Sequence, residues 1–182
     1  MCGIVGFTGK QQAVPVLLQG LTTLEYRGYD SAGVTLQTAK GIETIKTQGR
    51  ISVLEEKINS LGQFDATCGI GHTRWATHGA PSDRNSHPHE SMDGRIALVH
   101  NGIIENYLEL RNQLIAEGVV FKSDTDSEVV AHLFAKFYEF TFNFRERKLR
   151  FLKIAEHKHR EVALNYRLAY IFDVYVHICK RS

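Results

Sequence analysis

The start of this chain constrains it most. From its second residue, Cys2-Gly3-Ile4-Val5-Gly6-Phe7 forms a short apolar run punctuated by glycines. A run of this kind reads as a buried strand that begins at the terminus, so it would hold the thiol of Cys2 at a rigid strand end. If Met1 is trimmed, which a small second residue permits, Cys2 carries both the thiol and a free α-amine. An α-amine has a pKa of about 7.7–8.0 against about 10.4 for lysine, so roughly 10–20 per cent of it is unprotonated at pH 7. Such an amine is a usable general base, and it sits on the same residue as the nucleophile.

The remaining pattern alternates between helical and strand-like segments. Val14, Leu17, Leu18, Leu21 and Leu24 follow the three-four spacing of an amphipathic helix, with Pro15 tolerable in its first turn. Residues 26–33 read as a polar loop. Residues 34–37 and 42–46, separated by Lys40-Gly41, predict a hairpin. Val53, Leu54, Ile58 and Leu61 predict a second helix and residues 67–72 a strand, followed by a long loop rich in His, Pro, Ser and Asn. Residues 96–99 predict a buried strand that delivers Asn101-Gly102 to its tip, where function tends to gather. Tyr107, Leu110, Leu114 and Ile115 form a helical stripe ending at Gly118, and residues 119–121 predict a short strand. Thr125-Asp126-Ser127-Glu128 has the capping-box spacing ahead of a helix whose inner face is Val129, Leu133, Phe134 and Phe137. The class is α+β, with sheets and helices in layers.

With 182 residues, 43% of them hydrophobic, the chain suits a single globular domain. The net charge of +2 gives no reason to expect nucleic acid or an anionic membrane as partner, but it is unevenly spread. Residues 136–182 hold 11 of the 22 Lys and Arg and 5 of the 20 acids, and none of the 15 glycines. Cys2, Cys68 and Cys179 fit neither a disulfide framework nor a CxxC site, which points to a reducing compartment. The apolar start lacks the basic flank and length of a signal peptide or membrane anchor, so a cytoplasmic protein is expected. His72, His78, His87 and His89 match no common metal-ligand spacing, and no metal or cofactor is expected.

Five ordered motifs carry a family resemblance: Cys2-Gly3-Ile4-Val5-Gly6; YRGYDSAG at 26–33; HTRWATHG at 72–79; His100-Asn101-Gly102-Ile103-Ile104; and Asp124-Thr125-Asp126. Together they resemble the class II glutaminase domain of the glutamine:fructose-6-phosphate aminotransferases, over residues 2–135. The resemblance implies a four-layer α/β/β/α sandwich of the N-terminal-nucleophile hydrolase type. It also implies hydrolysis of L-glutamine to L-glutamate and ammonia through a Cys2 thioester.

The residue types suit that chemistry. A thiol is the strongest available nucleophile for a poor electrophile such as an amide. The oxyanion needs preorganised donors, which Asn101 can offer from its side chain and Gly102 from its backbone. Arg74 can grip the α-carboxylate of glutamine with its planar fork. The resemblance adds Thr77 and His78 to the same pocket, Asp126 as partner of the α-ammonium, Trp75 in a cover, and Arg27 and Gly28 close to the nucleophile. For Asp126 the alternative is helix capping alone.

The resemblance fades beyond residue 135, so residues 136–182 are expected to be a divergent, truncated or frame-altered end of one domain spanning 1–182. An amphipathic helix near 145–165 is the alternative. The sugar-isomerase domains that bind fructose 6-phosphate in the family are not in the sequence, so this polypeptide alone is not expected to make glucosamine 6-phosphate. A homo-oligomer is left open. The competing reading is a catalytically impaired glutaminase domain kept as a binding or assembly module.

Overall fold

The structure is a computed structural model that describes residues 2–75, 80–142 and 174–178. In chain order the elements are β1 (Gly3–Thr8), α1 (Ala13–Leu24), a 3-10 turn at Glu25–Arg27, β2 (Ser31–Thr38) and β3 (Gly41–Gln48). Then come α2 (Ile51–Leu61), β4 (Cys68–Arg74), β5 (His89–Glu90), β6 (Ile96–His100), α3 (Tyr107–Ala116), α4 (Glu128–Phe142) and β7 (Val174–Ile178). Among the described residues the strands make two sheets, in the orders β1-β4-β2-β3 and β5-β6-β7, with every neighbour antiparallel.

The two-residue period of a strand explains the layering. In the first sheet Val5, Phe7, Ala32, Val34, Leu36 and Ile45 turn outward onto α1 and α2, which bury Leu17, Leu21, Leu54 and Ile58 against them. Each such leucine contributes roughly 1.5–3 kcal/mol by leaving water. Their alternates Ile4, Ile42 and Ile70 turn the other way and meet Ala97 and Val99 of β6. Leu98, between those two, faces α3 and α4 instead. The expected order of helix, sheet, sheet, helix follows, and residues of the same parity as Ile4, Ile70 and Val99 point into the space between the sheets.

Several details differ from the sequence reading. Residues 31–33 are the first part of β2 rather than loop. The glycine among them has a packing reason: a Cβ at Gly33 would lie 2.3 Å from the carbonyl oxygen of His87 and 3.0 Å from that of Ile45. The segment before β5 crosses β2 at this point. That segment is tied to the first sheet by Lys46 Nζ on the Arg84 carbonyl (3.2 Å) and the Gln48 N–H on Asp83 (2.7 Å). On its other side Arg84 donates to the Lys122 carbonyl (2.6 Å) and to Asp124 (2.8 Å).

Residues 119–121 form no strand. Gly118, at φ +92°, ends α3, and the Gly118 and Val119 N–H groups fold back onto the Ile115 and Leu114 carbonyls. This helix-terminating motif uses the donors that a strand would need. The capping box is also replaced. Glu128 reaches the N–H groups of Lys122 (2.7 Å) and Ser123 (2.6 Å) rather than that of Thr125. Cys68, at the start of β4, is half-buried.

At the far end of the chain, Val174–Ile178 pairs along β6 as β7, where the sequence assigned nothing. The alternative helix near 145–165 and Cys179 lie outside the described residues.

Candidate active site

One step beyond the Gly3–Thr73 pair of the β1–β4 ladder, Cys2 meets the end of β4. The Trp75 N–H donates to Cys2 Sγ at 3.3 Å, and Sγ lies 3.7 Å from the Trp75 carbonyl oxygen. The Gly3 N–H is fixed to the buried hydroxyl of Thr73 at 3.1 Å. Gly28 packs directly on the Arg74–Trp75 peptide, where a Cβ would come within 2.8 Å of the Arg74 carbonyl carbon and 2.9 Å of the Trp75 nitrogen. The Asp30 N–H donates to the Arg74 carbonyl at 3.1 Å, so the 28–30 stretch buttresses the strand end that holds the thiol. Half-buried Arg27 precedes it. Trp75 is exposed and meets the Tyr29 ring edge-on, with centroids 5.3 Å apart.

From the second sheet, the tip of β6 delivers Asn101 to the same place. Its Nδ2 donates to the Cys2 carbonyl at 3.3 Å, and its Oδ1 lies 2.8 Å from His72 Nε2. Gly102 rests on the His100 ring, since a Cβ there would come within 2.6 Å of His100 Nε2. Asp126 is buried, and its Oδ2 accepts the Ile104 N–H at 2.7 Å, so it pins the turn that follows Asn101-Gly102. This fastening was not foreseen from the sequence.

Electrostatics divide the site into a cationic and a neutral part. Arg74 is buried, which lowers its pKa, while Cys2, Asp126 and Asp30 nearby favour the charged form. A guanidinium keeps its charge through such shifts. Burial also pushes His72 down to about 4, with its Asn101 bond opposing and Arg74 and His100 assisting. His87 and His89 are held well below the usual imidazole range by burial and by neighbouring cationic groups. The imidazoles form a stack: His72 and His87 lie face to face at 4.4 Å and 21°, and His89 meets His87 edge-on at 4.3 Å. Among the described residues, no group of three or more His, Cys, Asp or Glu is placed to hold a metal ion.

Of the residues singled out in the sequence, Cys2, Gly28, Arg74, Trp75 and Asn101 are linked by these contacts. Gly102 adjoins Asn101, Asp126 lies close behind, and Arg27 flanks Gly28. Thr77 and His78 lie outside the described residues. The sequence reading weighed His72 only as a metal ligand, which it rejected, and gave Thr73 no role beyond its motif. The alternation along β4 could have found His72, because it shares a face with Ile70 and Arg74.

The arrangement matches known proteins in kind. Residues 59–143 match the family described as a glutamine amidotransferase domain. The matched stretch is similar to a glutamine amidotransferase domain. The chain is 57% identical over 139 residues to a protein of Clostridium tetani named glutamine–fructose-6-phosphate aminotransferase (isomerizing), covering 76% of this chain and 23% of the relative. A Thermus thermophilus protein of the same name is 56% identical over 138 residues, with the same coverage. The chain thus spans less than a quarter of these relatives, and the matched part is their glutaminase portion.

Among solved structures, B. subtilis glutamine phosphoribosylpyrophosphate amidotransferase superposes with a TM-score of 0.62 at 29% identity, over 75% of this chain and 29% of that one. A structure described as the allosteric regulatory enzyme of purine biosynthesis superposes at 0.63 and 30% identity. The chain therefore has the α+β fold of the N-terminal-nucleophile amidotransferases. No helix among its described residues is long and apolar enough to cross a membrane.

Proposed function

We propose that the domain hydrolyses the side-chain amide of L-glutamine to L-glutamate and ammonia, with Cys2 as nucleophile. The Cys2 sulfur attacks the amide carbon, its proton passing to the α-amine freed by removal of Met1. The tetrahedral intermediate expels ammonia, leaving a thioester that water opens to release glutamate and return the thiol. Asn101 Nδ2 and the Gly102 N–H stabilise the oxyanion. One such donor is typically worth about 10²–10³ in kcat. Arg74 holds the substrate α-carboxylate and Asp126 its α-ammonium, with Trp75, Thr77, His78, Arg27 and Gly28 completing the pocket.

The observation that carries the reading is the 3.3 Å approach of the Asn101 amide to the Cys2 backbone from the opposite sheet. It brings the side-chain amide of Asn101 and the residue that bears the thiol together from positions 99 apart in the chain. Its relatives are named as aminotransferases of glutamine and fructose 6-phosphate, and with the family resemblance this supports a role for the ammonia in making glucosamine 6-phosphate, with sugar-isomerase domains as partners. A reducing compartment, the cytoplasm, suits a site with a thiol nucleophile.

The test is a glutaminase assay on the chain after its intact mass shows that Met1 has gone. Glutamate release by the parent and none by Cys2→Ala is the expected result. A folded, processed parent with no turnover would instead favour a binding or assembly module.

A further inference from the structure

We propose that His72 is a positioning residue for glutamine hydrolysis: its Nε2–H fixes the side-chain amide of Asn101 so that Nδ2, not Oδ1, is turned toward Cys2. This rests on Asn101 being an oxyanion donor, as proposed above.

Three observations determine the protons. First, His72 Nδ1 is buried with no hydrogen-bond partner among the described residues, whereas Nε2 is 2.8 Å from Asn101 Oδ1. A neutral imidazole carries one proton. If it sat on Nδ1, a donor would be buried without an acceptor, and two acceptors would face each other at the Asn101 contact. With the proton on Nε2, a donor meets an acceptor and the buried Nδ1 bears only a lone pair. An unmade donor of this kind costs about 1–3 kcal/mol, so the Nε2–H tautomer prevails.

Second, the amide flip is coupled to the tautomer. With Oδ1 on His72, Nδ2 turns to the Cys2 carbonyl at 3.3 Å. A flipped amide would set Oδ1 against that carbonyl and Nδ2 against the Nε2–H, pairing like with like at both ends. Third, the ring itself is held. His72 is 1% exposed and lies flat on His87, whose Nδ1 accepts the His100 N–H at 3.4 Å. Since His87 lies on the segment that crosses β2 at Gly33, the stack is anchored in the backbone of the first sheet. Burial keeps His72 neutral above about pH 4, so the tautomer persists across the working range of such a site.

The experiment pairs kinetics with a direct view of the proton. His72→Phe keeps a flat ring for the stack but removes the donor, and His72→Gln restores an N–H near the Nε2 position. Relative to the parent, His72→Phe should lower kcat for glutamine by about 10²-fold, as loss of one oxyanion donor does, with KM changed less than about threefold. His72→Gln should recover at least about tenfold of that loss. In an Asn101→Ala background His72→Phe should add nothing, because the group it orients has gone. Nitrogen NMR of the parent should show Nε2 of His72 protonated and Nδ1 bare, whether or not the chain turns over glutamine. A folded His72→Phe with near-parent kcat, an undiminished effect without Asn101, or a proton on Nδ1 would each overturn the proposal. An inactive parent with the Nε2–H tautomer would sink the glutaminase reading and leave the geometry of His72 standing.

Discussion

Replacing Gly33 by alanine adds one methyl group where two stretches of backbone cross. The new Cβ would sit 2.3 Å from the His87 carbonyl oxygen, 3.0 Å from the Ile45 carbonyl oxygen and 3.0 Å from Lys46 Cγ. A comfortable carbon–oxygen contact is about 3.3–3.6 Å, so the His87 carbonyl must retreat by about 1 Å. It is poorly free to do so. Residues 83 and 84 are fastened to Gln48 and Lys46 on one side, and Arg84 to Lys122 and Asp124 on the other. Overpacking typically costs about 1–3 kcal/mol, and a clash with backbone rather than a movable side chain belongs at the upper end, about 3 kcal/mol.

For a chain of this size each kcal/mol moves the melting temperature by about 2–4 °C, which gives a fall of about 6–12 °C. Gly6→Ala supplies the internal control. It too lies in a strand of the first sheet, but a Cβ there meets nothing within 4 Å. It should be neutral or raise stability by roughly 0.5–1 kcal/mol, as expected for replacing a strand glycine. Thermal unfolding followed by circular dichroism compares the two variants with the parent. If Gly33→Ala melts within about 2 °C of the parent, the tight crossing at Gly33 is not what holds the segment, and the reasoning fails.

Acid should weaken the fold through the buried histidines. His72 titrates at about 4 in the folded chain, and His87 and His89 lie well below the ordinary value of 6.5. Between these values the unfolded chain binds more protons, so stability is complete above about pH 6.5 and is lost as pH falls towards 4. His72 alone accounts for on the order of 3 kcal/mol. Urea midpoints at pH 7.5 and pH 5 measure it, and equal midpoints would refute it. Glu128→Gln should lower the urea midpoint by the equivalent of about 2–4 kcal/mol, because a buried carboxylate that accepts from two backbone N–H groups and Ser123 is lost. For this carboxyl burial acts upward, but the bonds from His132, Lys122 and Ser123 outweigh it and hold the pKa at about 2. An unchanged midpoint would mean that those bonds contribute nothing net.

The layers of the fold were legible where periodicity spoke for one element at a time. The stripe of α1, the hairpin of β2 and β3 and the apolar run of β6 all sit where the spacing put them. The thiol and Asn101 could be named from motifs, but the parity that turns both into the gap between the sheets needs the strand pairings. What escaped was set by contacts distant in the chain. Gly33 looked like a loop glycine because its reason, the His87 carbonyl, is 54 positions away. Residues 119–121 had strand composition, yet the Val119 N–H closes the end of α3 and the Val120 N–H donates to Met92 Sδ. Asp126 and Glu128 looked like helix-start residues, and their carboxylates serve the preceding turns instead.

The location of the sulfur is written into a ladder of six residue pairs between β1 and β4, not into a loop. Such a ladder can shift only in whole residues, and a slip of one would swing every β1 side chain to the opposite side of its sheet. Cys2 would then trade places with the residues that pack on α1, exchanging its view of Asn101 for a bed of leucines. Length between the second residue and Thr8 is thus a fixed quantity, while the turns joining outer helices can grow or shrink without moving the reacting atom.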